Sequence, residues 1–393
     1  MRVRKTEAEV GFELLTPDFR LLKDSMTVEF VIILKSIGVF GGLLAGLAIF
    51  LLIAERYLVD YGTCDVTIND GERVLQVQGG QTLLSALYSE KVFIASACGG
   101  RGTCGYCKVT VKSGGGRVLP TETPYLTRKE IRSGVRLACQ VKVREALQVK
   151  IAEDLLNAKL FAAIVETTRS VTPDIKEIRL SLVEPAEIPH RPGQYIQVQA
   201  PSPDGPVFRA YSISSATYEQ NEVELIVRLV PGGIGSTYLH NLKPGDAVTF
   251  TGPYGEFRLN EDPATEIICV AGGCGMAPVK NIIHSLYHRW PHRTCSLFFG
   301  CRTTADIFYL DEFNELAKAH PNFHVVYALS GPLTPGEQWD GEKGFVHLSV
   351  DKHLTGGASR QAFLCGPPPM IEAVTRVLHR KGVKPQDVFY DKF

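Results

Sequence analysis

Residues 96–107 read SACGGRGTCGYC, and this short stretch decides what the middle of the chain folds around. A fourth cysteine lies in the run RLACQV at 136–141, which gives the spacing C-x5-C-x2-C-x31-C. Four thiolates are the usual ligands of a [2Fe-2S] cluster. Between them, glycines let backbone N–H groups approach the sulfurs without side-chain obstruction. We therefore predict a [2Fe-2S] site held by Cys98, Cys104, Cys107 and Cys139.

Structural zinc and disulfide bonds are the two alternatives to a cluster for these four cysteines. Structural zinc prefers two C-x2-4-C knuckles, whereas the pattern here contains a single C-x2-C pair. Disulfides would not persist in a reducing cytoplasm, and ten cysteines in 393 residues are too few for a disulfide scaffold. Plant-type ferredoxins have four residues in the first gap, so the five residues here indicate a variant subfamily.

The residues before the cysteines complete a small domain. Residues 65–79 alternate like two strands around an Asn-Asp-Gly turn, and a short helix is predicted at 82–90. Cys64 lies outside the cluster pattern, and we interpret it as an ordinary thiol. We predict an α+β ferredoxin-like [2Fe-2S] domain over residues 62–152.

An apolar stretch precedes this domain. Residues 36–54 contain nineteen consecutive uncharged side chains, which make about 28 Å of helix at about 1.5 Å per residue. A secretory signal would be shorter and would end in a small-residue cleavage site, and a buried core helix would belong to a recognisable domain. We predict one transmembrane helix over 28–55 in contact with the lipid bilayer, preceded by a tail over 1–27.

The charges around this helix conflict with the chemistry that follows it. Five basic residues precede it and only Arg56 follows closely, so the positive-inside rule would place the downstream domains outside the cytoplasm. The redox chemistry of those domains argues for the cytoplasmic side. Our hypothesis is that the native chain starts at Met26 and that residues 1–25 are an extension or a weakly structured tail. N-terminal sequencing that finds an earlier first residue would contradict it.

Residues 157–260 change to an alternation of β-branched residues. Strands are predicted at 161–168, 175–182, 195–200, 223–230 and 247–252, separated by proline and glycine turns. This pattern is typical of an antiparallel β-barrel. Three motifs follow one another within it, namely RAYS at 209–212, GGIGST at 232–237 and GPYGEF at 252–257.

In this order the three motifs resemble the flavin domain of the ferredoxin-reductase family. The resemblance implies that Arg209 pairs with a flavin phosphate, that Tyr211 packs on the isoalloxazine, and that Ser212 hydrogen-bonds near its reactive N5 atom. The residue types suit these tasks, because arginine forms a bidentate fork and a helix N-terminus offers N–H donors to a pyrophosphate. The predicted FAD contacts are Arg209, Ala210, Tyr211, Ser212, Gly233, Gly235, Ser236 and Thr237.

From Glu266 onwards strands and helices alternate, which predicts a parallel sheet with crossover helices over 264–393. The loop GGCGMAP at 272–278 joins a strand to a helix and suits a pyrophosphate, although it is not a strict G-x-G-x-x-G. The loop CGPPPM at 365–370 ends a buried strand at the carboxyl edge, where open α/β sheets bind ligands. The predicted NADH contacts are Gly272, Gly273, Gly275, Met276, Ala277, Pro278, Gly366 and Pro367.

The reductase resemblance adds two residues to this site. It implies that Cys365 lies beside the nicotinamide where hydride is transferred. It also implies that the terminal Phe393 covers the flavin and moves aside for NADH. With Ser212, these are the predicted catalytic residues, whereas Cys269, Cys295 and Cys301 are expected in the core.

The set of domains has one physical explanation. A hydride donor delivers two electrons at once and a [2Fe-2S] cluster accepts one, so a flavin is needed between them. The predicted route is therefore NADH to FAD to [2Fe-2S]. Lys plus Arg and Asp plus Glu each total 42, so the net charge gives no reason to expect nucleic-acid binding. A hydrophobic content of 45% excludes a mostly disordered chain.

The order of anchor, ferredoxin, flavin and nicotinamide modules closely resembles the electron-input subunits of the sodium-translocating NADH:quinone reductase family, over about residues 28–393. The most specific stretch is 96–122, followed by RLACQV and the motifs above. The resemblance implies a single-pass subunit of the inner membrane whose soluble domains face the cytoplasm. Electrons would leave through the cluster to other membrane subunits, which carry sodium movement and quinone reduction, so quinone would be reached only indirectly.

Two departures from that family are visible. Only PSPDGPVF at 201–208 separates a strand from RAYS, where the family usually carries an insertion of some tens of residues, and position 274 is Cys where small residues are usual. A reductase component of a multicomponent oxygenase is the main alternative, because it has similar domains but normally no membrane helix. A third interpretation is an assembly subunit with degenerate redox sites. The choice between NADH and NADPH stays open, since Arg302 could reach a 2′-phosphate that Asp306 would repel.

Overall fold

The computed structural model describes residues 19–58, 61–203, 205–255, 257–355 and 359–392. The chain divides into two compact units between Tyr61 and Gly62. The first contains one helix, α1 (Phe19–Leu58). Its segment Leu34–Ala54 is 21 residues long, has a mean hydropathy of 2.6, and has none of its residues buried in the protein. By length and composition this segment can cross a membrane, and its exposure is the opposite of what a core helix shows.

The helix differs in extent from the prediction. It begins at Phe19, whereas the predicted span begins at residue 28. The first described turns of α1 therefore fall within the predicted tail. Residues 1–18 lie outside the described part of the chain, so Met26 as the native start stays a hypothesis.

The ferredoxin-like part of the second unit is built on a five-stranded sheet in the order β2-β1-β5-β3-β4. Its strands are β1 (Thr63–Ile68), β2 (Arg73–Gln78), β3 (Lys108–Ser113), β4 (Val135–Leu137) and β5 (Leu147–Lys150). The helices are α2 (Leu83–Ser89), α3 (Arg128–Arg132) and, after the sheet, α4 (Glu153–Leu156). The predicted hairpin turn is present, because Asn69 and Asp70 adopt positive φ angles of 49° and 59°. Asn69 also accepts a hydrogen bond of 2.9 Å from the Ile151 backbone N–H, which fastens the turn to the end of β5.

The flavin part is a six-stranded antiparallel sheet in the order β10-β7-β6-β11-β8-β9. The strands are β6 (Lys159–Ser170), β7 (Ile175–Glu184), β8 (Tyr195–Ala200), β9 (Val207–Ser212), β10 (Glu222–Arg228) and β11 (Ala247–Tyr254), and α5 (Ile234–Asn241) follows β10. An isolated bridge between Ile213 and Leu225 joins the end of β9 to β10, so the two outer strands meet. Phe161 and Phe250 stack inside at 5.1 Å between ring centroids. The predicted barrel is thereby confirmed.

The nicotinamide part is a parallel sheet in the order β15-β14-β13-β12-β16-β17. The strands are β12 (Glu266–Gly272), β13 (Cys295–Cys301), β14 (Phe323–Leu329), β15 (Glu342–Lys343), β16 (Arg360–Gly366) and β17 (Val388–Lys392). The helices are α6 (Met276–Arg289), α7 (Leu310–Ala319), α8 (Val346–His353) and α9 (Pro368–Arg380). The strand order reverses direction between β12 and β16. Open α/β sheets bind their ligands at such a switch point, beyond the carboxyl ends of the strands.

Candidate electron-transfer site

The cysteine loop depends on its glycines. Gly99, Gly100, Gly102 and Gly105 all have positive φ angles, between 65° and 84°. Other residues rarely adopt this conformation. A methyl group at Gly102 would lie 2.6 Å from the Gln140 amide nitrogen, and one at Gly105 would lie 2.9 Å from Tyr125 Cβ. The loop is therefore closed tightly around its cysteines, as the sequence predicts.

The four predicted ligands are arranged as two pairs. The Cys98 and Cys104 sulfurs are 3.4 Å apart, and the buried thiols of Cys107 and Cys139 lie close enough to each other to shift one another's pKa. Within each pair one thiol stabilises the thiolate of the other. The pairing with Cys104 lowers the pKa of Cys98, and the pairing with Cys107 lowers the pKa of Cys139.

This arrangement fits a two-iron cluster better than a single ion. Among the described residues, no group of three or more His, Cys, Asp or Glu side chains is placed to hold one metal ion. A [2Fe-2S] cluster needs two ligands on each iron, and the two thiol pairs supply that division. Structural zinc would need all four thiols around one centre, so the donor set favours the cluster.

The segment that carries Cys139 is fixed by a buried ion pair. Glu122 is fully buried, and its carboxylate accepts hydrogen bonds from the Arg136 guanidinium at 2.7 Å and from the Leu137 N–H at 2.9 Å. Arg136 also donates to the carbonyls of Gly115 at 2.7 Å and Arg117 at 2.9 Å. The pair therefore joins the loop after β3 to the strand that leads into Cys139.

A cavity of about 540 Å³ lies where the ferredoxin, flavin and nicotinamide parts meet. The cysteine loop contributes Ala97, Arg101 and Tyr106 to its wall, and the nicotinamide part contributes Cys274, Ala277, Cys365 and Asp391. The flavin part contributes Tyr195, Arg209, Ala210, Tyr211, Ser212, Ile226, Val227, Arg228, Val230, Gly232, Gly233, Ile234, Gly235 and Ser236. One cavity thus touches all three predicted redox sites.

The flavin side of the cavity is formed by β9 against the start of α5. A methyl group at Gly235 would lie 2.6 Å from the Tyr211 hydroxyl and 2.7 Å from Arg209 Cγ. Only glycine therefore allows the helix N-terminus to approach the strand that carries both side chains. The N–H groups of the first turn of α5 and the Arg209 guanidinium form an anion-binding arrangement, and the Tyr211 ring supplies a flat apolar face. These residues fit a flavin dinucleotide.

We expect Gly235→Ala to weaken FAD binding about tenfold or more, because overpacking at a close contact costs about 1–3 kcal/mol. The FAD content of the purified protein and a titration of the FAD-free protein with FAD measure the effect. Asn241→Ala at the other, exposed end of α5 is the matched control. Equal FAD affinity in the two variants would contradict the expectation.

The nicotinamide side is built from the loops after β12 and β16. A methyl group at Gly275 would lie 2.1 Å from the Cys365 carbonyl oxygen, so the two loops are in direct contact. Cys365 is paired in register with Asp391 of β17, the last strand of the chain. Both line the cavity, and burial raises the pKa of Asp391 to about 6.

Asp391 makes the protein's stability depend on pH. A raised pKa in the folded state means that unfolding releases a proton between about pH 4 and pH 6, so this group lowers stability as pH rises through that window. Compared with wild type, Asp391→Asn should gain little stability at pH 4 and up to about 3 kcal/mol at pH 7. Melting curves across this range, with exposed Asp340→Asn as control, measure the difference. A pH-independent difference would contradict the assignment.

The structure brings together part of the predicted contact set. Nine of the predicted residues line the cavity, namely Arg209, Ala210, Tyr211, Ser212, Gly233, Gly235, Ser236, Ala277 and Cys365. Eight others do not line it, namely Thr237, Gly272, Gly273, Gly275, Met276, Pro278, Gly366 and Pro367. Several of these eight shape the loops behind the wall, as Gly275 does. Phe393 lies outside the described residues, and its role stays a prediction.

Several residues that line the cavity were not among the predicted site residues, and three of them, Asp391, Arg228 and Cys274, carry polar groups at the nicotinamide side. Asp391 is brought to Cys365 by the pairing of β16 with β17, and an acidic residue two positions before Phe393 was the available signal. Arg228 reaches the GGCG loop, because a methyl group at Gly273 would lie 2.5 Å from its Nη2 atom. Cys274, noted only as a departure from the family, lies in the wall itself.

The cysteine loop touches the flavin strand directly. A methyl group at Gly99 would lie 3.2 Å from Arg209 Nη1 and 3.4 Å from the Phe208 carbonyl oxygen. Nearby, the rings of Tyr106 and Tyr195 meet edge to face at 6.3 Å between centroids. The predicted cluster ligands and the predicted flavin contacts are thus neighbours in space.

Three family models match the chain in the predicted order. They are a 2Fe-2S iron-sulfur cluster binding domain over residues 66–144, an oxidoreductase FAD-binding domain over 162–259 and an oxidoreductase NAD-binding domain over 269–376. The predicted cofactors, a [2Fe-2S] cluster, FAD and a nicotinamide dinucleotide, are confirmed.

Curated relatives match nearly the whole chain. The F subunit of the Na(+)-translocating NADH-quinone reductase of Actinobacillus succinogenes is 35% identical over 91% of this chain and 98% of its own length. The same subunit of Neisseria meningitidis serogroup B is 35% identical over 92% of this chain and 99% of its own length. The chain belongs to this family. As the family name states, it is an oxidoreductase.

Solved structures of reductases with other names share the fold over 84% of this chain. Cytochrome P450 reductase GcoB of Amycolatopsis aligns with a TM-score of 0.69 and 30% identity, over 84% of this chain and 99% of its own. The ferredoxin reductase in carbazole 1,9a-dioxygenase aligns with a TM-score of 0.64 and 26% identity, over 84% of this chain and 98% of its own. The predicted ferredoxin-reductase-like fold is confirmed.

Proposed function

We propose that this chain is the electron-input subunit of a membrane-bound, sodium-translocating NADH:quinone reductase. It oxidises NADH, and electrons pass through FAD and the [2Fe-2S] cluster to other subunits of the complex, which reduce quinone. The observation that carries the proposal is the single cavity that Cys365, Tyr211 and the cysteine loop line together. When bound, FAD accepts two electrons together and releases them singly, which couples a hydride donor to a one-electron acceptor.

In this function the chain's own residues would bind and orient the flavin and the nicotinamide, and would exclude water from the cavity. Arg209 and the N-terminus of α5 would hold the flavin phosphates, and the Ser212 hydroxyl would bond the reactive edge of the ring; both side chains line the cavity. The loop that contains Cys365 carries the nicotinamide, and Asp391 is the one acidic side chain among the described residues that line the cavity. The proposed domains cover 62–152 for the cluster, 157–260 for FAD and 264–393 for NADH.

The proposed location is the inner membrane, with α1 in the lipid bilayer and the second unit in the cytoplasm. The 21-residue apolar segment Leu34–Ala54 supports anchoring. The relatives' name supports membership in a complex with further subunits. Partner subunits on the membrane would receive electrons from the cluster, and the quinone would meet those subunits rather than this chain.

The test is a gentle detergent extraction of the tagged full chain from its native membranes, followed by mass spectrometry of the copurifying proteins. The proposal expects several polytopic membrane subunits, and NADH:quinone activity that increases with sodium. Recovery alone, or with a soluble oxygenase, would overturn it. Recovery with a soluble oxygenase would favour the alternative function, a reductase component of an oxygenase. The similarity to the ferredoxin reductase in carbazole 1,9a-dioxygenase is the observation that favours this alternative.

A further inference from the structure

Helix α6 connects the nicotinamide loop to the flavin barrel through polar contacts. The helix begins at Met276, directly after the GGCG loop, and its buried Asn281 donates a hydrogen bond to the Ser215 carbonyl. One turn further on, the Ser285 hydroxyl accepts a hydrogen bond of 3.0 Å from the Thr217 N–H. The barrel therefore holds one face of the helix whose first turn adjoins the hydride-transfer site.

Lys280 makes the charged contact of this face. Its ammonium group lies 2.8 Å from Glu224 Oε1 in β10, and the Lys280 and Glu224 side chains are only 11% and 2% exposed. The same ammonium group lies 4.2 Å from the centre of the Tyr309 ring and 3.6 Å from Glu312 Oε1. Desolvated charges at this spacing hold a well-defined geometry, because any displacement leaves a charge buried without its partner.

Glu224 also contacts the segment that directly follows β9, the strand that carries Arg209, Tyr211 and Ser212. Its Oε1 atom also accepts a hydrogen bond of 2.9 Å from the Ser214 hydroxyl, and its Oε2 atom is 2.9 Å from the Arg179 guanidinium. Backbone bonds add to this, since the Ser214 N–H donates to the Glu224 carbonyl at 2.8 Å. Ser214 is two residues after Ser212, which lines the cavity.

Two short connections thus meet at the Lys280–Glu224 pair. On one side, Lys280 is five residues after Gly275. Gly275 is in close contact with the loop after β16, because a methyl group at Gly275 would lie 2.1 Å from the Cys365 carbonyl oxygen. On the other side, Glu224 holds the residues that follow Ser212. The pair therefore joins α6, which follows the nicotinamide loop, to β10 of the barrel that carries the flavin motifs.

We propose that Lys280, acting through Glu224, is a positioning residue that sets the distance between the nicotinamide loop and the flavin strand and so controls the rate of hydride transfer. The inference rests on the proposed NADH oxidation at FAD. Misplacing reactants by about 1 Å can cost about a hundredfold in rate. A role in geometry predicts slower hydride transfer with both cofactors still bound.

The test compares Lys280→Met with wild type in the full-length, FAD-loaded protein, using ferricyanide as the electron acceptor. We expect kcat to fall by about tenfold or more, with FAD and iron contents unchanged. The primary isotope effect on kcat with NADH deuterated at C4 should rise, because hydride transfer then limits turnover. Lys280→Arg should restore most of the rate and the smaller isotope effect. Lys318→Met, an exposed ion-pair partner on α7, is the matched control.

A second variant guards against misfolding. Glu224→Gln keeps the shape and the Ser214 bond while removing the charge, and the double variant with Lys280→Met should be no slower than the slower single variant, because both act through one contact. Unchanged kcat and isotope effect in Lys280→Met, or additive losses in the double variant, would overturn the proposal. Absence of NADH oxidation in wild type would instead overturn the proposed function itself.

Discussion

Cys139→Ser is expected to abolish electron transfer beyond the flavin while leaving NADH oxidation at the flavin nearly intact. Serine would remove one of the four thiolates that we predict as cluster ligands, and Cys107 would lose the thiol with which it is paired in the structure. Iron content and visible absorbance should fall to background, and FAD content should not change. NADH:ferricyanide activity of the same preparation serves as the internal measure that hydride transfer survives.

The control for this prediction is another buried thiol of the same domain. Cys64→Ser lies outside the cluster pattern, on β1, and should keep its iron. Iron retained in Cys139→Ser, or lost equally from Cys64→Ser, would contradict the ligand assignment. Loss of FAD together with iron would show that the variant damages the whole unit rather than one site.

The second large effect is expected at the Glu122–Arg136 ion pair. Arg136→Met leaves the Glu122 carboxylate buried without its partner, and breaking such a pair costs about 3–5 kcal/mol. The chain loses in addition the bonds from Arg136 to the carbonyls of Gly115, Gly116 and Arg117. Since these contacts hold the segment next to Cys139, the melting temperature and the iron content should fall together.

Glu122→Gln separates charge from shape in the same pair. It keeps an acceptor for the Leu137 N–H while removing the negative charge, so we expect a smaller loss of stability than in Arg136→Met. Lys112→Met breaks the exposed ion pair with Asp70 and should leave the melting temperature almost unchanged. Equal melting temperatures for Arg136→Met and Lys112→Met would contradict the structural role of the buried pair.

The local features of the site are readable from the chain because they lie in short segments. The cysteine loop carries its glycines within ten residues of one another, and each has the positive φ angle that the motif implies. The hairpin turn at Asn69 and the apolar run of α1 are equally local. Each pattern predicts a backbone conformation or an apolar environment for its own segment, so it can be interpreted without knowing which distant residues contact that segment.

Contacts between distant residues were not readable in this way. Lys280 and Glu224 are 56 positions apart in the chain, and the residues around each of them give no indication that the two side chains are in contact. Asp391 meets Cys365 only because β17 returns to pair with β16. Which loop residues line the cavity, and which only support its wall, likewise depends on how the loops after β12 and β16 pack.

By itself, the sequence determined the cofactor set and the order of the domains, and it predicted the four cysteine ligands, because ligand type and spacing within a segment limit the chemistry. The tertiary structure alone decided that the cysteine loop meets the flavin strand at Gly99 and Arg209. It also decided that a buried charge pair joins α6 to the barrel. The physical reason is that a pattern constrains neighbours along the chain, whereas the distance between cofactor sites follows from the packing of whole sheets and helices.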